Sequence, residues 1–492
     1  DFTVPASIKM NLTGSGGVLE LGKTLTVAGT LEFAVPHTLD NGTVALNGGT
    51  LSVKKDVSVS SAVTHSVDST VDITTGSTLT LTGGDINVGA KTLTLSGGGS
   101  VANQGQLILD DPISTLKLGG IASVKNVSMP ATYSTGKLEV SENAIVQNLL
   151  NSGLSRVDIL DSKTLSIKNG FEIPQAKSME LIGVGGTLSL GDNMTLSGTL
   201  KFSSKGTLNS GTVTLNGGLL DVDQDITVGS NLVHAAGSFI EIEAGKALSY
   251  TGQVFNIGNR TLKLSGGGTF ANTNNLTIDK AGSSLSISDS TKVSRVLVSA
   301  SGTGNGITIS DSAASGVNLV DNLQLSSSLS VTSDKAWSVG SMTAGSALTF
   351  SNDKDLSVGS LSLIGNNAEM SLGASDIIVS VTNPVSAGST QIIRNGGGSL
   401  NFKGGLTLAS GSELIGQGQK ISGGIALSGG KLTAEKNTEI TDNISVSADS
   451  TIHIDSSKAL TYGGQAVDIG ASKLKIQGGG SFVNTGTTPI KL

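Results

Sequence analysis

The chain has 492 residues, of which 68 are glycine, 37% apolar, 3% aromatic and 14% charged, with a mean hydropathy of +0.14. That is too apolar for a disordered chain, and a net charge of −7 without a basic run argues against nucleic acid as a partner. Cysteine is absent, which removes disulfides and thiolate metal sites, and no unbroken apolar stretch is long enough for a transmembrane segment.

From the amino terminus onward, apolar-polar-apolar triplets recur. Leu19-Glu-Leu21, Leu25-Thr-Val27 and Leu31-Glu-Phe33 come first, then Val44-Ala-Leu46, Leu51-Ser-Val53 and Val57-Ser-Val59. Val71-Asp-Ile73, Leu79-Thr-Leu81 and Ile86-Asn-Val88 follow. Alternation with period two marks short strands with one buried face. Gly, Asn, Asp and Ser separate the triplets and supply turns. The same pattern excludes helix. The nearest approach to one is Glu142 to Val157, where Ile145, Leu149 and Leu150 would share a face; irregular coil is the favoured reading there.

A longer period lies over this one. Residues 14–53 and 183–222 share the pattern GxGGxLxLG…GTVxLNGG at an offset of 169, and Phe2-Thr-Val-Pro5 matches Phe171-Glu-Ile-Pro174. A third copy lies 212 further on, with Leu188 matching Leu400 and Gly217 matching Gly429. The expected organisation is therefore 1–169, 170–381 and a partial 382–492, in one continuous solenoid. The second unit is longer by 43 residues, which fall between about 299 and 381. That length matches about two whole coils, the increment that leaves a solenoid's cross-section unchanged. No charged-then-apolar leader stands at Asp1, and Pro489 to Leu492 match residues inside a unit. A mature or cut piece of a longer array is the expectation.

Three short strands per rung, recurring for the whole length, fit a parallel β-helix of roughly 20–22 coils, with strands about 4.8 Å apart. The bias of parallel crossovers makes it right-handed. Its corners are marked by TLTLSGGGSVAN at 92, TLKLSGGGTFAN at 261 and KLKIQGGGSFVN at 473. Gly97, Gly98 and Gly99, with Gly266, Gly267 and Gly268 and with Gly478, Gly479 and Gly480, are assigned as turn glycines that need positive φ. These corners, with GTVALNGGTLSV and its copies, resemble the right-handed β-helix of filamentous-haemagglutinin-like adhesins and autotransporter passenger domains. The resemblance implies an exported bacterial surface solenoid with binding sites on loops or on a tip.

Residues that could carry chemistry are few. His65 and His234 are equivalent by the 169 offset, but Val446 holds the third position. Neither they nor His37 and His453 has a zinc-motif context, and solvated strand-end histidines are expected. Asp221, Asp223 and Asp225 alternate along one outer face, a geometry that could hold Ca²⁺ or do acid–base work. Their counterparts are Ser52, Lys54 and Asp56, and then Thr433, Glu435 and Asn437, which reads as a variable solvated surface. Outward threonines such as Thr78, Thr80 and Thr94 invite an ice-binding reading, but a regular array should fail within two coils. Sugar binding calls for exposed aromatics. Trp337 reads instead as a buried corner filler, and the three tyrosines are Tyr133, Tyr250 and Tyr462.

No catalytic residue, metal ligand or cofactor is assigned, and no enzymatic activity is expected. The function expected is a structural extracellular module, the rod or stalk of a large bacterial adhesin or a self-assembling fibre. Its partners would be copies of itself or surface glycans and proteins. Two alternatives stand beside it: a carbohydrate-active β-helix acting as a polysaccharide lyase or hydrolase, and an adhesin site in the inserted coils.

Overall fold

The structure is a computed structural model that describes residues 1–14, 16–130, 136–299, 305–310, 318–345, 348–365, 369–372 and 377–487. The described residues form short strands and no helix, and every strand pairing is parallel. Successive strands stack coil upon coil into a β-solenoid of about 21 turns. The chain divides into two compact units, Asp1–Gln253 and Val254–Leu492.

In the first unit, strand Thr30–Phe33 lies on Lys9–Leu12 on one side and on Thr50–Val53 on the other, and Ser69–Ile73 follows. Inward positions are aliphatic and stack in register: Leu31 on Leu51 on Val71, and Phe33 on Val53 on Ile73. Phe33 and Phe202 are both fully buried. At about 25 cal/mol per Å² of buried apolar area, these ladders supply the main driving force for each added coil.

Strands recur at the sequence offset. Thr24–Val27, Thr30–Phe33, Thr43–Asn47 and Thr50–Val53 reappear as Asn193–Leu196, Thr199–Phe202, Thr212–Asn216 and Leu219–Val222. Between Lys137 and Ile167 the described strands make two coils. Between Gly306 and Val381 they make four, with Leu329–Ser333 and Trp337–Ala344, then Leu348–Asn352 and Leu356–Leu363, as the two middle ones. The match of Pro489–Leu492 to the interior of a unit lies outside the described residues.

Three strands per coil is not uniform. In several coils the second and third fuse, as in Ser123–Met129, Ala144–Asn151 and Trp337–Ala344. Ser123–Met129 pairs with both Ser100–Asn103 and Leu107–Ile108 of the coil before it. The stretch Glu142–Val157 is therefore neither helix nor irregular coil. Ala144–Asn151 is one long strand, and Leu154–Ile159 begins the next coil.

The triple-glycine corners have two separate causes. Gly97, Gly98, Gly266, Gly267 and Gly478 have φ between +82° and +109°, which excludes most L side chains. Gly99 and Gly480 are crowded instead. A β-carbon on Gly99 would collide with the Ile73 side chain, and one on Gly480 with that of Ile454. On Gly479 it would press on the Ser456 hydroxyl.

One buried serine ties the corner in all three repeats. Ser69, Ser238 and Ser450 accept from the amides of Gly48, Gly217 and Gly429 at 2.9–3.0 Å. Each donates to a carbonyl two residues back, at 2.7–2.8 Å. Ser238→Ala removes both bonds, and because the Gly217 amide lies at an exposed turn where water can replace the hydroxyl, a loss of about 1 kcal/mol is expected. Faster hydrogen exchange at Gly217 would register it.

Candidate functional site

The outer face of the strands at 199–202 and 219–222 holds the most concentrated charge that the sequence pointed to. Register places Lys201 directly against Asp221. The Lys201 ammonium donates to Asp221 Oδ2 at 2.9 Å and to Asp223 Oδ2 at 2.7 Å. Burial works against the charge on Lys201, but the two carboxylates outweigh it and hold the ammonium well above the usual lysine range. The Asp221 carboxyl is pushed up by burial, with Asp223 adding to the effect against the pull of Lys201. Two acids share one cation.

Asp225 does not join them. Its Oδ1 accepts from the amide of Ala247 at 2.9 Å, one coil further on. Asp56 does the same for Thr78 and Asn437 for Ala459, at 2.9 Å each. The outer face at 221 and 223 varies between repeats, as its counterparts suggested. Position 225 is instead a fixed cap, and Asp and Asn are interchangeable there because either offers a carbonyl-type acceptor.

The pair at 201 and 221 belongs to a longer stripe. Lys117 and Lys137 reach Glu139, Lys137 also reaches Asp158, and Arg156 reaches Glu180, all within 2.5–3.2 Å. These side chains are part-exposed and neutralise one another, so each pair contributes about 1 kcal/mol or less. Lys201→Met should cost about 1 kcal/mol at low ionic strength, measured by urea denaturation. The loss should shrink as salt shortens the Debye length toward about 3 Å near 1 M.

The histidines differ from expectation. His65 and His234 are not solvated strand ends; they are buried in the strands Ala62–Val67 and Asn231–Ala236. Register sets them on Leu46 and Leu215, and Val446 occupies the same place on Leu427. The site is an inward ladder position, which explains why an aliphatic residue can replace the ring. His453 lies 3.1 Å from Asp455. Among the described residues no three His, Cys, Asp or Glu side chains are grouped to hold a metal ion.

Trp337 is 2% exposed and packs its ring 6.4 Å from that of Phe350. Tyr250 and Tyr462 are also buried. Their hydroxyls accept from the amides of Leu232 and Ile444 at 3.2 and 3.3 Å, and burial raises both phenols above their ordinary range. None of the three offers a stacking surface to a sugar. Tyr133 lies outside the described residues.

Thr30, Thr50, Thr70 and Thr94 form one outward column over four coils before Lys117 ends it. The threonine array is longer than the two coils expected. It is still one column wide, since the next column carries Glu32, Ser52, Asp72 and Ser96.

Buried asparagines are the polar feature that sequence reasoning missed. Asn103 donates to the carbonyls of Gly105 and Asn126 at 2.8 and 2.7 Å, and accepts from the amides of Lys125 and Asn126. Asn126 accepts from Asn148, and Asn148 from Asn169, at 2.7 and 2.6 Å. Asn272 repeats the Asn103 arrangement against Asn274 and Arg295. The signal available was SVAN at 100 and TFAN at 269, where Asn sits at a core-phase position.

Parallel stacking, whole-coil repetition and backbone caps that recur at matched positions define a parallel β-solenoid repeat protein. No protein-family model matches the chain, and neither a curated protein nor a solved structure does.

Proposed function

We propose that this chain is a structural module of an extracellular bacterial surface adhesin or fibre, acting as a stalk that spaces or displays other parts. One observation supports the reading most strongly. The polar side chains with chemical potential are spent on holding one coil to the next. Asp56, Asp225 and Asn437 cap backbone amides, Ser69, Ser238 and Ser450 tie corners, and Lys201 is shared by Asp221 and Asp223. A short-chain Ser, Thr and Asn surface of low net charge suits a secreted scaffold whose surroundings are aqueous.

Negative-stain electron microscopy of the purified chain tests this. Elongated particles, singly or in lateral or end-to-end assemblies, are expected; compact globules would contradict the stalk. The carbohydrate-active alternative has less support, because the acids it would use are already paired. It requires shortening of an acidic polysaccharide that Asp221→Asn with Asp223→Asn abolishes. The adhesin alternative places binding in residues 299–381, and excision of two whole coils there would remove it while the remaining coils stay folded.

A further inference from the structure

Asn-Gly pairs stand at Asn41, Asn47, Asn169, Asn216, Asn305 and Asn395. In such a pair the glycine nitrogen can attack the neighbouring carboxamide, because no side chain shields it. The fold decides which pairs are able to react. Asn305 and Asn395 are buried; the Gly306 amide donates to the Ser283 carbonyl at 3.1 Å, and the Asn395 carboxamide donates to the carbonyls of Gly398 and Gly418. Asn169 is exposed, but its Nδ2 is tied to Asn148 Oδ1 at 2.6 Å. Asn47 and Asn216 are exposed too, and there the nucleophile is held: the amides of Gly48 and Gly217 donate to Ser69 and Ser238 Oγ at 3.0 and 2.9 Å. Longer contacts with Ser66 and Ser197, at 3.4 and 3.3 Å, reach their carboxamides.

Asn41 has neither restraint. It and Gly42 are exposed, between the strands His37–Asp40 and Thr43–Asn47. Among the described residues neither the Gly42 amide nor the Asn41 carboxamide makes a hydrogen bond. The Asn41 carbonyl accepts from Ser61 Oγ, which draws electron density out of the peptide and makes the Gly42 N–H more acidic. Gly42 cannot be exchanged for a bulkier residue that would shield its nitrogen. Its φ is +60°, and a β-carbon there would collide with the carbonyls of Leu21 and Lys23.

We infer that Asn41 is a spontaneous modification site: through the Gly42 nitrogen it converts to aspartate and isoaspartate as the protein ages, while Ser69 and Ser238 protect Asn47 and Asn216 from the same reaction. Hydroxide removes the Gly42 amide proton, and the nitrogen attacks Cγ of Asn41 to form an N–Cγ bond. The Cγ–Nδ2 bond breaks, and ammonia leaves with a proton from water. Water then opens the cyclic imide at either carbonyl, giving aspartate or an isoaspartate whose backbone runs through the side-chain carboxyl. Both products add a negative charge beside Asp40, whose Oδ1 already holds the Asn41 amide at 2.9 Å. The isoaspartate also lengthens the corner by a methylene.

Peptide mapping by mass spectrometry, on the intact chain aged at mildly alkaline pH and physiological temperature, tests the inference. Asn41 should convert first, with both acid isomers present, while Asn47 and Asn216 persist. In chain unfolded by urea all three should convert together, because the serines no longer reach the glycine amides. Ser238→Ala should speed conversion of Asn216 in the folded chain by about fivefold or more, the rate equivalent of one ordinary hydrogen bond. Asn47 in the same variant should be unchanged, so it reports any general loosening of the unit. Persistence of Asn41, conversion of Asn47 and Asn216 as fast as Asn41 in the folded chain, or an unchanged rate at Asn216 in Ser238→Ala would overturn it.

Discussion

Asn103→Ala is expected to cost the Asp1–Gln253 unit about 4 kcal/mol, among the largest losses available to a polar residue in this chain. Asn103 is 1% exposed and satisfies four backbone groups: the carbonyls of Gly105 and Asn126 and the amides of Lys125 and Asn126. Truncation strips a partner from the buried Asn126 amide and carbonyl, at about 1–3 kcal/mol each, and from the part-buried amide of Lys125, while the Gly105 carbonyl keeps the Asn126 carboxamide; water offsets part of the loss where it can enter. The effect should propagate, because Asn126 donates in turn to the carbonyls of Asn103 and Gln104 and receives Asn148. Exchange protection at 100–130 should collapse first, ahead of the unit's urea midpoint. Asn272→Ala is the independent replicate in the Val254–Leu492 unit, since its carboxamide meets the carbonyls of Asn274 and Arg295 and the amide of Arg295, three of the same four partners by position. If Asn103→Ala shifts neither readout, the asparagine stack carries no stability.

Trp337→Ala should cost about 3–5 kcal/mol within the second unit. The indole opens the strand Trp337–Ala344, stacks in register on Leu356 and is enclosed with Phe350. Removing it leaves a cavity that the flanking strands, held in register on both sides, cannot fill without moving backbone. The chain has one tryptophan, so its fluorescence reports this place alone. Emission should be blue-shifted and resist an aqueous quencher, and added oligosaccharide should not change it. Ready quenching, or a sugar-dependent shift, would return Trp337 to the role of a binding residue.

Much of the coil was legible because each face needs only period-two alternation, and Leu-x-Leu triplets state it locally. The fused strands were not, for a physical reason. In Ala144–Asn151 the buried residues are Ala144 and Val146, then Leu149 and Asn151. The inward phase slips by one residue at Gln147-Asn148, where the strand rounds a corner. Two strand segments in opposite phase put Ile145, Leu149 and Leu150 at spacings that imitate a helix stripe. Asp225 was obscured differently. Grouped with Asp221 and Asp223 it looks like one face of a variable surface, yet its partner is an amide 22 residues on. The cap shows only when Asp56 and Asn437 are aligned with it. His65 hid because a lone polar residue at a strand end reads as solvated. Only the coil-to-coil register reveals that it continues the Leu46 position.

Paired cysteines test the parallel stack most directly, since the protein has none of its own. Thr30 and Thr50 are partners in register on successive coils, where parallel strands stand about 4.8 Å apart, within disulfide reach. Thr30→Cys with Thr50→Cys should cross-link rapidly under mild oxidation. Glu32→Cys with Thr38→Cys joins strands that follow one another in the chain, which a hairpin would set face to face, and it should stay reduced. The opposite outcome, a 32–38 bond and none between 30 and 50, would mean that neighbouring segments fold back on each other, and the coil-upon-coil account would be wrong.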